Sequence, residues 1–239
     1  MSTYVYGIAR ADQELPDGLE GIGEPALPVR TVRSGDLVAL CSDAPPELKP
    51  KRRDLLAHQR VVTRAGDHGP VLPLRFGGVS PDDDTVSAVL EEHHGRYLER
   101  LAALEDKDEY NVKAAHHEQA VLAAVLGEDP ELRARSEALR AAGGGSHEQK
   151  LAFGELMARA VAEREKADAE LIERKLAPCA AGVRHGPEGS GRLVNLSLLV
   201  ARDRREEFQE ALRRLPEQHP RLHVQATGPL PPYSFAETG

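Results

Sequence analysis

The residues of this 239-residue chain that could do chemistry fall into a few clusters, each with a geometric requirement to meet. His93-His94 and His116-His117 are adjacent pairs. Neighbours on a helix point about 100° apart and neighbours on a strand point oppositely, so neither pair makes a natural chelate. No Cys-x2-Cys spacing accompanies them. Asp82-Asp83-Asp84 could hold a divalent ion, but the run follows Ser80-Pro81, where a helix start calls for acids against its positive end. Gly143-Gly144-Gly145-Ser146 lacks the Lys-Ser/Thr of a phosphate cradle and follows no strand, so it reads as a flexible linker. There is no G-x-S-x-G elbow, and Cys41 has no adjacent base or positive helix end to activate it. The sequence therefore implies no catalytic residue, no metal site and no cofactor. The enzymatic alternative left open is an enzyme or small-molecule binder using a cleft between two domains.

Bulk properties narrow the partners. The formal net charge is −8, which argues against a phosphate-dominated surface and so against nucleic acid. No segment approaches eighteen uninterrupted apolar residues, so no membrane span is expected. The opening Met1-Ser2-Thr3-Tyr4-Val5-Tyr6 has no basic region before an apolar stretch, and reads as a strand rather than a signal peptide. Cys41 and Cys179 lie far apart in apolar surroundings, as expected for buried thiols in a reducing cytoplasm.

The elements that would position these residues alternate between strand and helix. Tyr4 to Ala9 is a strand, and residues 12–28, rich in Gly, Pro and acids, are a loop. Val29–Val32 and Asp36–Cys41 flank Ser34-Gly35 as a hairpin. Asp54 to Ala65 shows helical spacing through Leu55 and Val62. In Val71 to Gly77, Leu72, Leu74 and Phe76 would share one face of a strand, with Pro73 suited to an edge or a bulge. A helix then runs from the Ser80-Pro81 start to about Leu104.

The second half repeats this in a cleaner order. Tyr110 to Ala115 is a strand, followed by a helical region broken at Asp129-Pro130 and at the glycine triplet. Ser146 caps the last helix, with Gln149 completing a capping box, and Phe153, Met157, Ala160, Ala167 and Leu171 recur at helical spacing. Strands at 179–184 and 193–201 flank a hairpin loop through Glu188 and Ser190, then a helix at 204–215 and a strand at 222–227. The order is βαββαβ, the ferredoxin-like plan. RNA-recognition modules share that order but stack bases on strand aromatics, and residues 192–200 have none. The expected class is thus α+β with two domains: a sandwich-like α/β domain over 1–106 and a ferredoxin-like domain with a helical insertion over 107–228. An extended Pro-rich tail over 229–239 completes it.

That tail, Thr227-Gly228-Pro229-Leu230-Pro231-Pro232-Tyr233-Ser234-Phe235, is stiffened by its prolines, and Tyr233 and Phe235 would point the same way from an extended backbone. Two readings stand: a tail tied into its own domain, or a partner-binding tail.

Tyr4-Val5-Tyr6-Gly7-Ile8, Leu72-Pro73-Leu74-Arg75-Phe76-Gly77, Glu109 before Val112-Lys113, and Gly228-Pro229-Leu230-Pro231-Pro232-Tyr233-Ser234-Phe235 follow one another along the chain. In that order and spacing they resemble the gas vesicle protein F/L family, over nearly the whole length. Leu230 departs from it, standing where relatives usually carry Trp. The resemblance implies a non-enzymatic accessory or minor structural component located in the cytoplasm and at the gas vesicle. Its partner would be the hydrophobic major shell protein (GvpA-type), kept from premature aggregation during assembly, alongside other gas vesicle accessory proteins. The contact residues expected are Leu74, Arg75 and Phe76, with Tyr233 and Phe235 of the tail contributing.

Overall fold

A computed structural model describes residues 2–187, 189 and 191–236. Glu188 and Ser190 of the expected hairpin loop, and residues 237–239 of the tail, lie outside them. The chain is mixed α and β with two antiparallel sheets. Contacts divide it into two compact units: Met1–Glu109 together with Gly228–Gly239, and Tyr110–Thr227.

The first unit contains β1 (Thr3–Arg10), β2 (Arg30–Ser34), β3 (Leu37–Asp43), α1 (Arg52–Gly66), β4 (Val71–Pro73), β5 (Val79–Ser80), α2 (Asp83–Glu92) and α3 (His94–Leu104). Its sheet runs β2-β3-β1-β4, with β5 also paired to β1. Gly35, at φ +56°, makes the turn between β2 and β3, a conformation that a side chain would strain. Both sheet faces are covered, which is why β1 reads as an unbroken apolar run rather than an alternation. A register shift between Val5 and Gly7 changes the parity of β1. Tyr4, Tyr6 and Ala9 consequently pack toward α1, while Val5 and Ile8 face the side of α2 and α3. At Gly7 a Cβ would come within 2.9 Å of the Leu72 carbonyl oxygen, so the close approach of β1 and β4 requires glycine there.

Three expectations are corrected in this unit. The strand expected over Val71–Gly77 ends at Pro73, on the edge of the sheet, so Leu72, Leu74 and Phe76 do not share a strand face. The helix expected to reach Leu104 is two helices, broken at His93, and it begins at Asp83 with Asp82 as its cap, accepting the Thr85 N–H at 2.8 Å. On α1 the inward positions are Asp54, Ala57, His58, Val61, Val62 and Ala65, and Leu55 is turned out, 41 % exposed.

The second unit is built on β6 (Lys107–His116), α4 (Glu118–Glu128), α5 (Pro130–Ala141), α6 (His147–Leu176), β7 (Gly182–His185), β8 (Val194–Ala201), α7 (Arg205–Gln218) and β9 (Leu222–Leu230). Its sheet runs β7-β8-β6-β9. Ile172 and Leu176 of α6 and Phe208 and Leu215 of α7 pack on Val112, Ala114, Leu198 and Val200 of the sheet. Alternating with these are Asn111, Lys113 and Ser197, with Ser197 donating its hydroxyl to Asn111, but also the buried Leu199. Ser146 and Gln149 form the capping box that starts α6, whose first half packs with α4 and α5 through Phe153, Met157 and Ala160. Its second half departs from the expected face: Ala167 is exposed and Leu171 half-buried, while Asp168 and Ile172 face inward.

Asp168 is 1 % exposed because its partners are buried with it. Its carboxylate accepts from Arg221 Nε at 2.7 Å, from Arg221 Nη2 at 2.6 Å and from His116 Nε2 at 2.9 Å. Burial alone would push this carboxyl up, but the hydrogen bonds from Arg221 and His116 and the charges of Arg221 and Arg164 hold it below the usual carboxylate range.

The end of the chain is not extended throughout. β9 continues through Gly228-Pro229 to Leu230, and Tyr233–Ala236 forms a single helical turn, α8.

Candidate functional site

The first unit holds an open groove of about 670 Å³ between the β1/β4 side of the sheet and the helices α2 and α3. Its floor is aliphatic: Val5, Ile8, Leu72, Val86 and Leu90. Val79 on β5 and Val89 on α2 stand at its mouth, 48 % and 39 % exposed. Arg75, His93, Arg96 and Arg100 also line it. Among the described residues no carboxylate lines it.

The segment Leu74–Gly77 borders this groove and is tied down from behind. The Leu74 N–H donates to the Tyr6 carbonyl at 2.9 Å, and the Leu74 carbonyl is 2.9 Å from His58 Nε2. The Gly77 N–H donates to the Tyr4 hydroxyl at 3.3 Å, and that hydroxyl lies 2.8 Å from His58 Nδ1. Because the Leu74 carbonyl only accepts, His58 carries its proton on Nε2, and Nδ1 accepts from Tyr4. Burial holds His58 below the ordinary histidine range, partly offset by the Leu74 hydrogen bond, so the neutral ring this arrangement needs is favoured. Burial likewise raises the Tyr4 hydroxyl, which stays protonated.

The five expected contact residues are separated by this arrangement. Leu74 and Arg75 line the groove. Phe76 turns to the opposite side, 5.8 Å from the Tyr4 ring and 6.0 Å from His58. Tyr233 joins that cluster, 6.4 Å from His58, and burial raises its hydroxyl to about 12. Phe235 is buried, and Ser234 between them donates its N–H and its hydroxyl to Glu109 at 2.8 and 2.7 Å. Ala236 reaches the lining of the groove.

The other sequence candidates have structural positions. Asp82 caps α2, and Asp83 pairs with Arg30 and Thr3. His94 lies 3.5 Å from Asp36, His93 packs on Tyr97, and His117 packs on His223. Among the described residues no group of three His, Cys, Asp or Glu side chains is placed to hold a metal. Both cysteines are buried free thiols, and burial, reinforced by Asp83, raises Cys41 to about 12. Sequence reasoning missed His58, Val79, Val89, Arg96 and Arg100. A lone histidine in α1 and scattered arginines in α3 carry no spacing that marks them until the sheet sets the arginines beside the groove and the histidine behind it.

A family model described as gas vesicle synthesis protein GvpL/GvpF matches residues 2–237. The chain belongs to the GvpL/GvpF family. Within that family it is 58 % identical to gas vesicle protein F of Streptomyces sp. (strain CB03234), over 99 % of this chain and 100 % of the relative. It is 31 % identical to gas vesicle protein L of the same organism, over 98 % of this chain and 92 % of that one. The crystal structure of the gas vesicle protein GvpF from Anabaena sp. PCC7120 superposes with a TM-score of 0.80 at 23 % identity, covering 100 % of this chain and 99 % of that one, a likeness of fold. This GvpL/GvpF member has no helix, among the described residues, long and apolar enough to cross a membrane.

Proposed function

We propose that this chain is a non-enzymatic gas vesicle assembly factor that holds the hydrophobic major shell protein and keeps it from aggregating before it is incorporated. The carrying observation is the aliphatic groove with Val79 and Val89 at its mouth, on a member of a gas vesicle family. A shell subunit with one apolar face is an aggregation hazard until it assembles, and a partner that covers that face suppresses the hazard. The body supplying the cover carries a net charge of −8, which keeps loaded complexes apart by repulsion. Leu74 and Arg75 contribute directly, whereas Phe76 and Tyr233 pack behind the groove around His58, and Phe235 is buried. Other accessory proteins of the vesicle are further partners, and the working location is the cytoplasm and the growing vesicle. The higher identity to the F protein than to the L protein of one organism supports an F-like role. We read the units as two domains, the second a ferredoxin-like βαββαβ plan in which α4, α5 and the start of α6 are an insertion.

Co-expression with the shell protein tests this. The soluble fraction of the shell protein rises when this chain is present, and the two co-purify. A shell protein that is equally insoluble with and without this chain, other accessory proteins included, would remove the holding role.

A further inference from the structure

We propose that the outward face of α1 is a second docking surface, which takes an acidic segment of a partner protein carrying apolar residues of its own. It lies apart from the groove, since Tyr4, Tyr6 and Ala9 of β1 pack toward α1 whereas Val5 and Ile8 face α2 and α3.

The inward face of α1 is fixed by Asp54, Ala57, His58, Val61, Val62 and Ala65. At about 3.6 residues per turn, Arg52, Leu55, Leu56, Gln59, Arg60 and Thr63 then share the opposite face, and all of them are exposed. Leu55 is 41 % exposed and Leu56 53 %. A single exposed leucine is ordinary, but two in succession between arginines make an apolar strip with a cationic border.

The charge of this helix runs against that of the chain. Residues 49–64 hold six bases and one acid, whereas over the chain acids outnumber bases 39 to 31. The one acid, Asp54, is buried and accepts the Gly23 N–H at 3.1 Å. Lys49 pairs with Glu47, Arg53 with Glu24 and Asp54, and Arg64 with Asp67, while Lys51 acts on Glu24. Arg52 and Arg60, the two beside the leucines, have no ion pair among the described residues. Arg52 also opens the helix, at the positive end of its dipole, where a cation is disfavoured and a neighbouring carboxylate would relieve it.

These positions define the occupant. Arg52 and Arg60 are eight residues apart, about 12 Å along the axis, so carboxylates about two helical turns apart with leucines between them meet both arginines and the strip. The net charge of −8 favours a protein segment over a lipid surface. An anionic bilayer would face the acidic body as well as α1, whereas a segment meets α1 alone.

The test is fluorescence anisotropy on the full chain with three labelled peptides of about 16 residues, enough helix to span α1. One has a leucine face flanked by Glu, one has Lys in place of Glu, and one scrambles the first so that leucines and acids share no face. Non-specific attraction to a chain of net charge −8 would favour the Lys peptide, so the expected order is informative. The Glu peptide binds about tenfold more tightly than either control, and added salt weakens it. Arg52→Glu combined with Arg60→Glu removes the preference, as does Leu55→Ser combined with Leu56→Ser, each variant verified as folded by its melting curve. Arg133→Glu combined with Arg140→Glu, the same charge change at exposed positions of α5, leaves it intact. Equal binding of the three peptides, or equal loss of binding in the α5 variant, would overturn the inference. A dimer in sedimentation that depends on Arg52 and Arg60 would overturn it in favour of a second copy. Tighter binding to phosphatidylglycerol vesicles than to the Glu peptide, again through those arginines, would overturn it in favour of a membrane. Shell-protein solubility reads the groove and not α1, so the holding role stands or falls separately.

Discussion

Ser234 gives both its backbone N–H and its hydroxyl to one buried carboxylate, that of Glu109. Glu109 is 2 % exposed, so the short helical turn at the end of the chain supplies hydrogen bonds that water does not. The turn carries Tyr233 to the His58 cluster and Ala236 to the groove, which links the end of the chain to the proposed binding face.

Glu109→Ala should therefore release this turn. Hydrogen bonds to a charged acceptor contribute about 2 kcal/mol each, so loss of the pair is expected to cost about 4 kcal/mol. Hydrogen exchange at residues 233–236 accelerates, and deletion of residues 229–239 lowers the melting temperature by a similar free energy. Unchanged exchange and an unchanged melt would show that the turn is not held by Glu109.

His58 should make stability depend on pH near neutrality. Its folded pKa lies below its unfolded value of about 6.5, so the unfolded chain takes up the proton first as pH falls. The stabilising contribution is complete above about pH 6.5 and declines as pH falls toward the folded value. His58→Ala costs about 3 kcal/mol at pH 7.5, since it empties a buried site and strands the Tyr4 hydroxyl and the Leu74 carbonyl. Melting curves from pH 5 to 8 check both: the variant loses the wild-type slope between pH 5 and 6.5.

Asp168 acts at lower pH and in the second unit. Its folded pKa is also depressed, but below about 3.9, so its contribution is present above that value and is lost as pH falls through the folded one. Asp168→Asn breaks a buried pair at the cost of about 3 kcal/mol at pH 7 and flattens the acid limb of the stability profile. Chemical denaturation at pH 3 and pH 7 measures the difference, which should be smaller at pH 3.

Those two residues also mark where the sequence stopped being readable. The hairpin at Gly35, the capping box at Ser146, the breaks before α5 and α6 and the strand order of elements were legible because turn and cap residues act locally. α1 and α6 were assigned as helices correctly, yet their inward faces were misplaced wherever a polar group points inside. Leu55 fits the helical spacing of apolar residues, but the inward face of α1 is set by Asp54 and His58, whose buried partners the spacing does not show. Ala167 and Leu171 looked buried because nothing in the local pattern reveals that Arg221, 53 residues away, waits for Asp168. The same limit hid the groove: Val79, Val89, Arg96 and Arg100 come from three elements, and only the pairing of β4 and β5 with β1 brings them together. The β1 parity change at Val5–Gly7 was hidden in the same way, since a strand covered on both faces shows no alternation to interrupt.

Cys41 should be inert in the native chain. Its thiol is raised to about 12 by burial, with Asp83 adding to the shift, so almost no thiolate exists at neutral pH. A thiol-reactive chromogenic disulfide should label Cys41 only at the rate of unfolding. Fast labelling at pH 7.5 of a chain that keeps Cys41 but has Cys179→Ser would contradict that.

The central claim, that the first unit's groove is the face that receives the shell protein, is tested most directly by site-specific photo-crosslinking. A photoreactive residue is placed at Val89, at the mouth of the groove, and separately at Leu151, an equally apolar position of the second unit that is 59 % exposed. Each variant is co-expressed with the shell protein and irradiated. The account predicts a crosslinked product from position 89 and little from position 151. Crosslinking from position 151 with none from position 89 would place the shell protein on the helical insertion and contradict the account.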